Sequence, residues 1–306
     1  MEMNVLVLGS GSIAQKHIKN LVYLRYKVYV YSNNINHRIN NKKIKRILNF
    51  KNPPKFDFAI IPNSTFKHYD SVKFLIKKKI HFYCEKPIYH KKFNYLKIRK
   101  QLKKNKIIFH SGYQLLKDSK VEYIKKKLKN LKVKSFIASV GHDFTKWRKN
   151  KIRKNSYYIN TSKGGGVIFE LVHEINLISN LFGKILNIKT FKTSSSNFKC
   201  EDIATSIIST EKKIIGTLYQ DMYSRFFFRN LKIITDKKNY IIDFEKNIVL
   251  ENKKIIKFKD SNSQMILLKK NLKEFIKKIK KNDYSLKNFD NSVLDLKNCL
   301  KMHIKI

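Results

Sequence analysis

The first 110 residues alternate short apolar runs with longer amphipathic ones. Residues 5–8, 28–31, 58–61, 80–84 and 107–109 are short apolar stretches of the kind that form strands buried on both faces. Between them, residues 13–24 and 67–78 carry apolar positions at helical spacing, as with Val72, Leu75 and Ile76. Strands alternating with helices predict right-handed crossovers and a parallel, doubly wound sheet. Past residue 115 the pattern changes. Helices are expected at 118–130 and 167–182, a strand at 133–141, and a polar, basic loop at 147–163. Strand-like runs at 203–209, 214–221, 231–235, 239–244, 248–251 and 254–258 then follow one another without helices. Such a run argues for a large, mostly antiparallel, open sheet. Two lysine-rich helices, 264–281 and 290–303, close the chain. The expected class is therefore α/β. A parallel-sheet domain at 1–116 precedes an α+β domain at 117–306.

Composition narrows the function classes. Hydrophobic residues at 42% exclude an intrinsically disordered chain. The formal charge, 67 − 22 = +45, suggests a nucleic-acid partner at first sight. Eight of those 67 bases are Arg, which leaves 59 Lys, and there are 40 Ile and 30 Asn against four Ala. Lys, Ile and Asn have the most A/T-rich codons, so this is a base-composition signature. A nucleic-acid reader favours Arg, whose planar fork grips phosphate and guanine edges. The lysines are also spread along the whole chain, so no specific nucleic-acid partner is expected, only weak polyanion attraction. Cys84, Cys200 and Cys299 lie far apart, without the paired spacing of a zinc or disulfide framework, which points to a reducing, cytoplasmic setting. No apolar run approaches the ~18 residues of a membrane span, and no basic-then-apolar leader pattern opens the chain. No membrane insertion is expected.

Gly9-Ser10-Gly11-Ser12-Ile13-Ala14 directly follows the first strand and opens a helix. This is the G-x-G-x-x-G/A form of the Rossmann dinucleotide fingerprint. Gly9 permits the tight turn, Gly11 lets the backbone approach a pyrophosphate, and Ala14 allows close helix–sheet packing. The amides of Ser12 and Ile13 then face the phosphates at the positive end of the helix. At the end of the second strand an acidic residue would bind the ribose 2′-hydroxyl. The chain reads Tyr31-Ser32-Asn33-Asn34 there, with Arg38 and Lys42 beyond. The missing carboxylate favours NADP over NAD, with Ser32 and Arg38 as cofactor contacts.

Glu85-Lys86-Pro87 follows the fourth strand, at the carboxyl edge where doubly wound sheets bind ligands. With this motif the chain resembles the glucose–fructose oxidoreductase / inositol dehydrogenase / rhizopine catabolism (Gfo/Idh/MocA) family. Asn63-Ser64-Thr65-Phe66-Lys67-His68 resembles the family's Thr-Pro-x-x-x-His loop, and Gly112-Tyr113-Gln114 its Gly-Tyr-Asn/Gln. The run from Lys163 to Asn176, with Gly164-Gly165-Gly166 and Glu170-Leu171-Val172-His173-Glu174-Ile175-Asn176, is similar to a subgroup's Gly-Gly-Gly-…-Asp/Glu-Leu-Ser-His-Glu-Ile/Leu-Asp. Trp147-Arg148, Ser156-Tyr157 and Asp221-Met222-Tyr223 with Arg229 also match that subgroup.

The resemblance implies an NAD(P)-dependent oxidoreductase moving a hydride between nicotinamide and a hydroxyl or keto carbon of a sugar or sugar derivative, in surface-polysaccharide or acidic-sugar synthesis. It implies catalytic Lys86 and His173, with Asn63, His68, Glu85 and Lys86 beside the cofactor. Tyr113, Gln114, Trp147, Arg148, Glu170 and Asn176 would contact the substrate, and subunits would pair as a homodimer or homotetramer through the second domain's sheet. The residues agree in part. Glu170, His173 and Asn176 are three apart, on one face of the expected helix, and a His with a carboxylate one turn earlier suits proton transfer near neutral pH. Glu170-x-x-His173 also looks like half of a carboxylate di-iron motif, but no second copy exists, so no metal is expected. Departures are Asn176 for Asp, Leu116 where the family often has Arg, and Ser64 for Pro. The rivals are a biliverdin- or imine-reductase-like enzyme on a non-sugar, and a non-catalytic cofactor-sensing or polyanion-binding protein.

Overall fold

A computed structural model describes residues 3–32, 42–144, 156–194, 198–259 and 263–304. The chain forms two compact units, Met1–Gln114 with Ser263–Leu294, and Leu115–Asn262 with Asp295–Ile306.

The first unit holds β1 (Asn4–Leu8), β2 (Lys27–Tyr31), β3 (Ile44–Ile47), β4 (Phe58–Ile61), β5 (His81–Cys84) and β6 (Phe109–Ser111). They pair in the order β3-β2-β1-β4-β5-β6, and every neighbouring pair is parallel. Helices α1 (Ser12–Tyr23), α2 (His68–Lys77) and α3 (Tyr95–Lys104) are the crossovers. Strand order reverses between β1 and β4, and ligands bind beyond the carboxyl ends at such a point. β1 and β4 lie at the centre and are apolar apart from Asn4 at the start of β1, with Val5, Leu6, Val7, Phe58, Ala59, Ile60 and Ile61 fully buried. β3 has no such run. It is an edge strand whose Lys45 and Arg46 are exposed, so its pattern reads as loop.

The second unit holds α4 (Ser119–Lys127), β7 (Val133–Gly141), α5 (Val167–Glu170), α6 (His173–Phe182) and β8 (Ile185–Thr193). β9 (Ile203–Thr210), β10 (Ile215–Asp221), β11 (Phe228–Thr235), β12 (Asn239–Asp243), β13 (Ile248–Glu251) and β14 (Lys254–Lys257) follow. The sheet order is β14-β13-β12-β11-β7-β10-β9-β8. β7 and β10 run parallel, and the other neighbours are antiparallel. One face is buried, with Phe136 of β7 stacked on Phe182 of α6 at 4.6 Å.

Two expectations change. The helix expected across 167–182 breaks at Leu171, which leaves helical geometry at φ −103, ψ 32. Its carbonyl there accepts from Gln220 Nε2 at 2.9 Å, so the break is satisfied from β10. Secondly, α7 (Gln264–Lys280) and the first half of α8 (Lys287–Met302) group with the first unit rather than the second. The reason is packing. Leu272, Phe275 and Ile276 join a core with Val5, Ile18, Leu21, Phe58 and Tyr83, and Phe275 sits edge-on to Phe58 at 5.4 Å. Asn271 of α7 donates to Tyr83 Oη (3.0 Å) and to the Ser111 carbonyl (3.1 Å), while His110 Nε2 lies 2.9 Å from its Oδ1.

Because Phe275 is fully buried in that core, Phe275→Ala should cost about 3–5 kcal/mol in urea unfolding. A loss near that of a surface substitution would show that α7 is merely appended.

Candidate active site

The first cluster surrounds the β1–α1 turn. Gly9 has φ 137, and its amide donates to the Tyr31 carbonyl at 2.9 Å. A Cβ there would also press on Asn63 at 3.2 Å. Gly11 is different. Its backbone (φ −66, ψ −178) suits any residue, yet a Cβ on it would meet nothing within 4 Å. α1 has no side-chain cap and no acidic residue in its first turn. The amides of Ser12 and Ile13, which a helix leaves without internal partners, therefore face open space at the positive helix end. These residues fit a pyrophosphate. At the end of β2, Ser32 Oγ lies 2.7 Å from Ser10 Oγ, and the sequence Tyr31-Ser32-Asn33-Asn34 carries no carboxylate. Arg38 lies outside the described residues.

The second cluster underlies the ends of β4 and β5. Glu85 is buried, with Oε1 2.7 Å from His17 Nε2, and His17 is fully buried on α1. Sequence reasoning missed His17. The signal was a polar residue within the apolar stripe Ala14, Ile18 and Leu21. His68 is likewise buried, with Nδ1 2.8 Å from the Pro87 carbonyl and Nε2 2.9 Å from that of Asn63. Burial pushes its pKa down, while the two carbonyls pull it up. Glu85 and His68 thus tie together the segments at the ends of β4 and β5. Lys86 is half-buried just beyond β5. Tyr113 and Gln114 are buried where the first unit ends.

The third cluster belongs to the second unit. Glu170 ends α5 and is half-buried, and His173 opens α6 and is 7% exposed. Because the helix breaks between them, the single-face argument for Glu170 and His173 does not hold. Asn176 is buried one turn further on, with Nδ2 donating to Asp295 Oδ2 of α8 at 2.7 Å. Glu174 is buried with Oε1 2.7 Å from Arg229 Nε. Asp221 closes a turn, accepting from the amides of Tyr223 (2.8 Å) and Ser224 (2.7 Å). Trp147 and Arg148 lie outside the described residues. Among the described residues no group of three or more His, Cys, Asp or Glu is placed to hold a metal ion.

Residues 3–113 match the oxidoreductase family with NAD-binding Rossmann fold (GFO_IDH_MocA). No curated protein matches the chain in sequence. Among solved structures it is similar to levoglucosan dehydrogenase in complex with NADH, at TM-score 0.85 and 11% identity, covering 99% of this chain and 96% of that one. Myo-inositol 2-dehydrogenase from Lactobacillus plantarum gives 0.83 and 14%, covering 99% and 96%. UDP-N-acetylglucosamine 3-dehydrogenase from Acidithiobacillus ferrooxidans gives 0.78 and 13%, covering 99% and 97%. At such identities the likeness is one of fold.

The two glycines should separate in experiment. Gly11→Val should leave stability nearly unchanged but lower dinucleotide affinity steeply in calorimetry. Gly9→Ala should destabilise the fold by about 1–3 kcal/mol, because its φ is closed to a side chain. Unchanged cofactor binding in Gly11→Val would remove the assignment of this turn.

Proposed function

Residues 3–113 belong to the Gfo/Idh/MocA oxidoreductase family with its NAD-binding Rossmann fold, and from that premise we propose that the chain is an NAD(P)-dependent dehydrogenase acting on a CH–OH group of a sugar or sugar derivative. The observation that carries the proposal is within one unit. Lys86 follows β5 at the carboxyl edge of the sheet whose β1–α1 turn is open at Gly11. A bound nicotinamide supplies or accepts the hydride. Lys86 donates a hydrogen bond to the reacting oxygen and polarises it. His173 exchanges the hydroxyl proton. Glu170, Tyr113, Gln114, Trp147 and Arg148 contact the substrate, and Asn176 acts from beneath through Asp295. The lack of an acidic residue in the sequence Tyr31-Ser32-Asn33-Asn34 favours NADP. A nucleotide-linked or N-acylated sugar is our choice of substrate class, supported by the subgroup motif from Gly164 to Asn176.

We also propose that a second copy of the chain covers the outer face of the large sheet. Its central strands present Ser135, Ile137 and Ser139 on β7, Ile215, Thr217 and Tyr219 on β10, and Thr205, Ile207 and Ser209 on β9, in mutual register. None of the nine is charged, in a chain with 29% charged residues. Two copies at +45 repel through their lysines, so this uncharged patch, flanked by Lys232 of β11 and Lys189 of β8, is where they can meet. Ile207→Lys with Tyr219→Lys should reduce a dimer or tetramer to monomers in light scattering. A wild-type monomer would refute the pairing.

Turnover tests the chemistry. Free and nucleotide-linked sugars, screened with NAD and NADP by absorbance, should yield a substrate. On it, Lys86→Met and His173→Ala should each lower turnover about 10²–10⁴-fold, with the double variant little worse than the poorer single. If both singles retain full turnover the mechanism fails. Turnover confined to a tetrapyrrole or imine would favour the reductase reading.

A further inference from the structure

Gln220 is a polar residue in an apolar register. Along β10 the alternation that buries Gly216 and Leu218 brings Gln220 to the same inner face, where it is fully buried. Its Nε2 donates to the Leu171 carbonyl at 2.9 Å, while its Oε1 makes no hydrogen bond among the described residues. That one contact fixes the amide's orientation, because turning it over would set its oxygen against the Leu171 oxygen. A central strand thus carries a buried amide whose hydrogen bonding goes to a single main-chain oxygen.

That oxygen lies at the break between α5 and α6. Leu171 leaves helical geometry at φ −103, ψ 32, while Val172 after it is near-helical at φ −63, ψ −12. Chiefly one torsion, the ψ of Leu171, therefore separates the broken segment from a continuous helix. The apolar spacing of Val167, Ile168, Leu171, Val172 and Ile175 favours the continuous form. In it the Leu171 carbonyl would accept from the Ile175 amide, four residues on. Here it accepts from Gln220 and, at 3.4 Å, from the Glu174 amide. The two arrangements differ in what stands beside His173. An unbroken helix would put Glu170 one turn before His173 on its own face, and the break takes them off a common face. The other charged groups held by α6 do not depend on the break. Glu174 Oε1 lies 2.7 Å from Arg229 Nε of β11, and Asp295 of α8 accepts from Asn176 at 2.7 Å.

We propose that Gln220 is a positioning residue for His173, whose hydrogen bond to Leu171 holds the α5–α6 break and so sets the Glu170 carboxylate's place relative to the imidazole. This rests on the reading of His173 as the proton-exchanging group, whose basicity a carboxylate on its own helix face would raise. Gln220 acts through the main chain and touches no reacting atom.

Carbon-13 labelling of leucine carbonyls and histidine rings in the full chain tests this without substrate or cofactor. Gln220→Leu removes the donor at similar side-chain length. The Leu171 carbonyl signal should then move towards the helical range. The His173 ring, assigned by its loss in His173→Gln, should titrate at higher pH than in the wild type. With Glu170→Gln added, the rise at His173 should vanish while the Leu171 change remains. Gln220→Glu supplies a second route, should Gln220→Leu fail to fold. Burial holds a carboxyl protonated to higher pH, and its O–H can donate to Leu171 where the carboxylate cannot. That variant should show the wild-type Leu171 signal at low pH and the helical one as pH rises through its own titration. An unchanged Leu171 carbonyl or an unchanged His173 midpoint in Gln220→Leu overturns the proposal, as does a Leu171 signal in Gln220→Glu that ignores pH. If these changes occur and His173→Ala still retains full turnover, the reading of His173 fails alone.

Discussion

The approach of His17 Nε2 to Glu85 Oε1, 2.7 Å apart and buried on both sides, is the contact on which the cofactor domain is organised. A buried carboxylate without its partner is costly, and breaking such a pair typically loses about 3–5 kcal/mol. Here the pair joins two elements that have to be in register for any chemistry. α1 carries the amides facing the space at Gly11, and β5 ends in the Glu85-Lys86-Pro87 turn. His68 does the same for the neighbouring strand end, facing the carbonyls of Asn63 and Pro87. Asn271 closes the set by tying α7 to β5 and β6. The site is therefore built from below by buried polar contacts, and the glycine turn and Lys86 are what this foundation presents.

What the sequence revealed and what it hid follow from the same physics. Strands buried on both faces have to be apolar, so β1, β4 and β5 were legible, as was the alternation of the large sheet. The edge strands β3 and β8 were not, because an edge tolerates charge and β8 alternates polar and apolar residues without an apolar run. Gly9 and Gly11 stood out because short-range geometry demands particular residues at particular spacing, and Lys86 and His173 stood out through the motifs of the family the chain resembles. Their supports did not. His17 and Glu85 are 68 residues apart, Asn176 and Asp295 119, and Asn271 and Tyr83 188. A buried polar partnership leaves no periodic trace in the chain. The break at Leu171 was hidden for the same reason, since the group satisfying it, Gln220, comes from another strand.

The distribution of charge sharpens the meaning of +45. Among the described residues eight acidic side chains are buried: Glu85, Asp118, Asp143, Glu174, Glu201, Asp202, Asp221 and Asp295. Among the described residues Lys120 is the one buried lysine, 3.1 Å from Asp118 and 3.1 Å from Asn247 Oδ1, its pKa lowered by burial and restored in part by Asp118. Carboxylates remain where the fold uses them, and lysines fill the surface, where their stems cover apolar area at little cost. The net charge is thus carried chiefly by surface lysines. It acts on association, and the uncharged outer face of β7, β9 and β10 is conspicuous against it.

Asn176 shows how a departure from a family motif is read once its partner is known. In sequence it is a lost carboxylate one turn after His173. In the fold its amide donates to Asp295 at 2.7 Å, with both side chains buried. Two carboxylates at that distance in a buried setting do not both ionise, and one holds a proton well above its ordinary pKa. An Asp at 176 would therefore restore no charge beside His173. It would set an acid against the acid already there. The carboxyl group that meets residue 176 resides on α8, and the amide at 176 donates to it. The residue at 176 and its partner form one unit, and that partner lies 119 residues away in the chain.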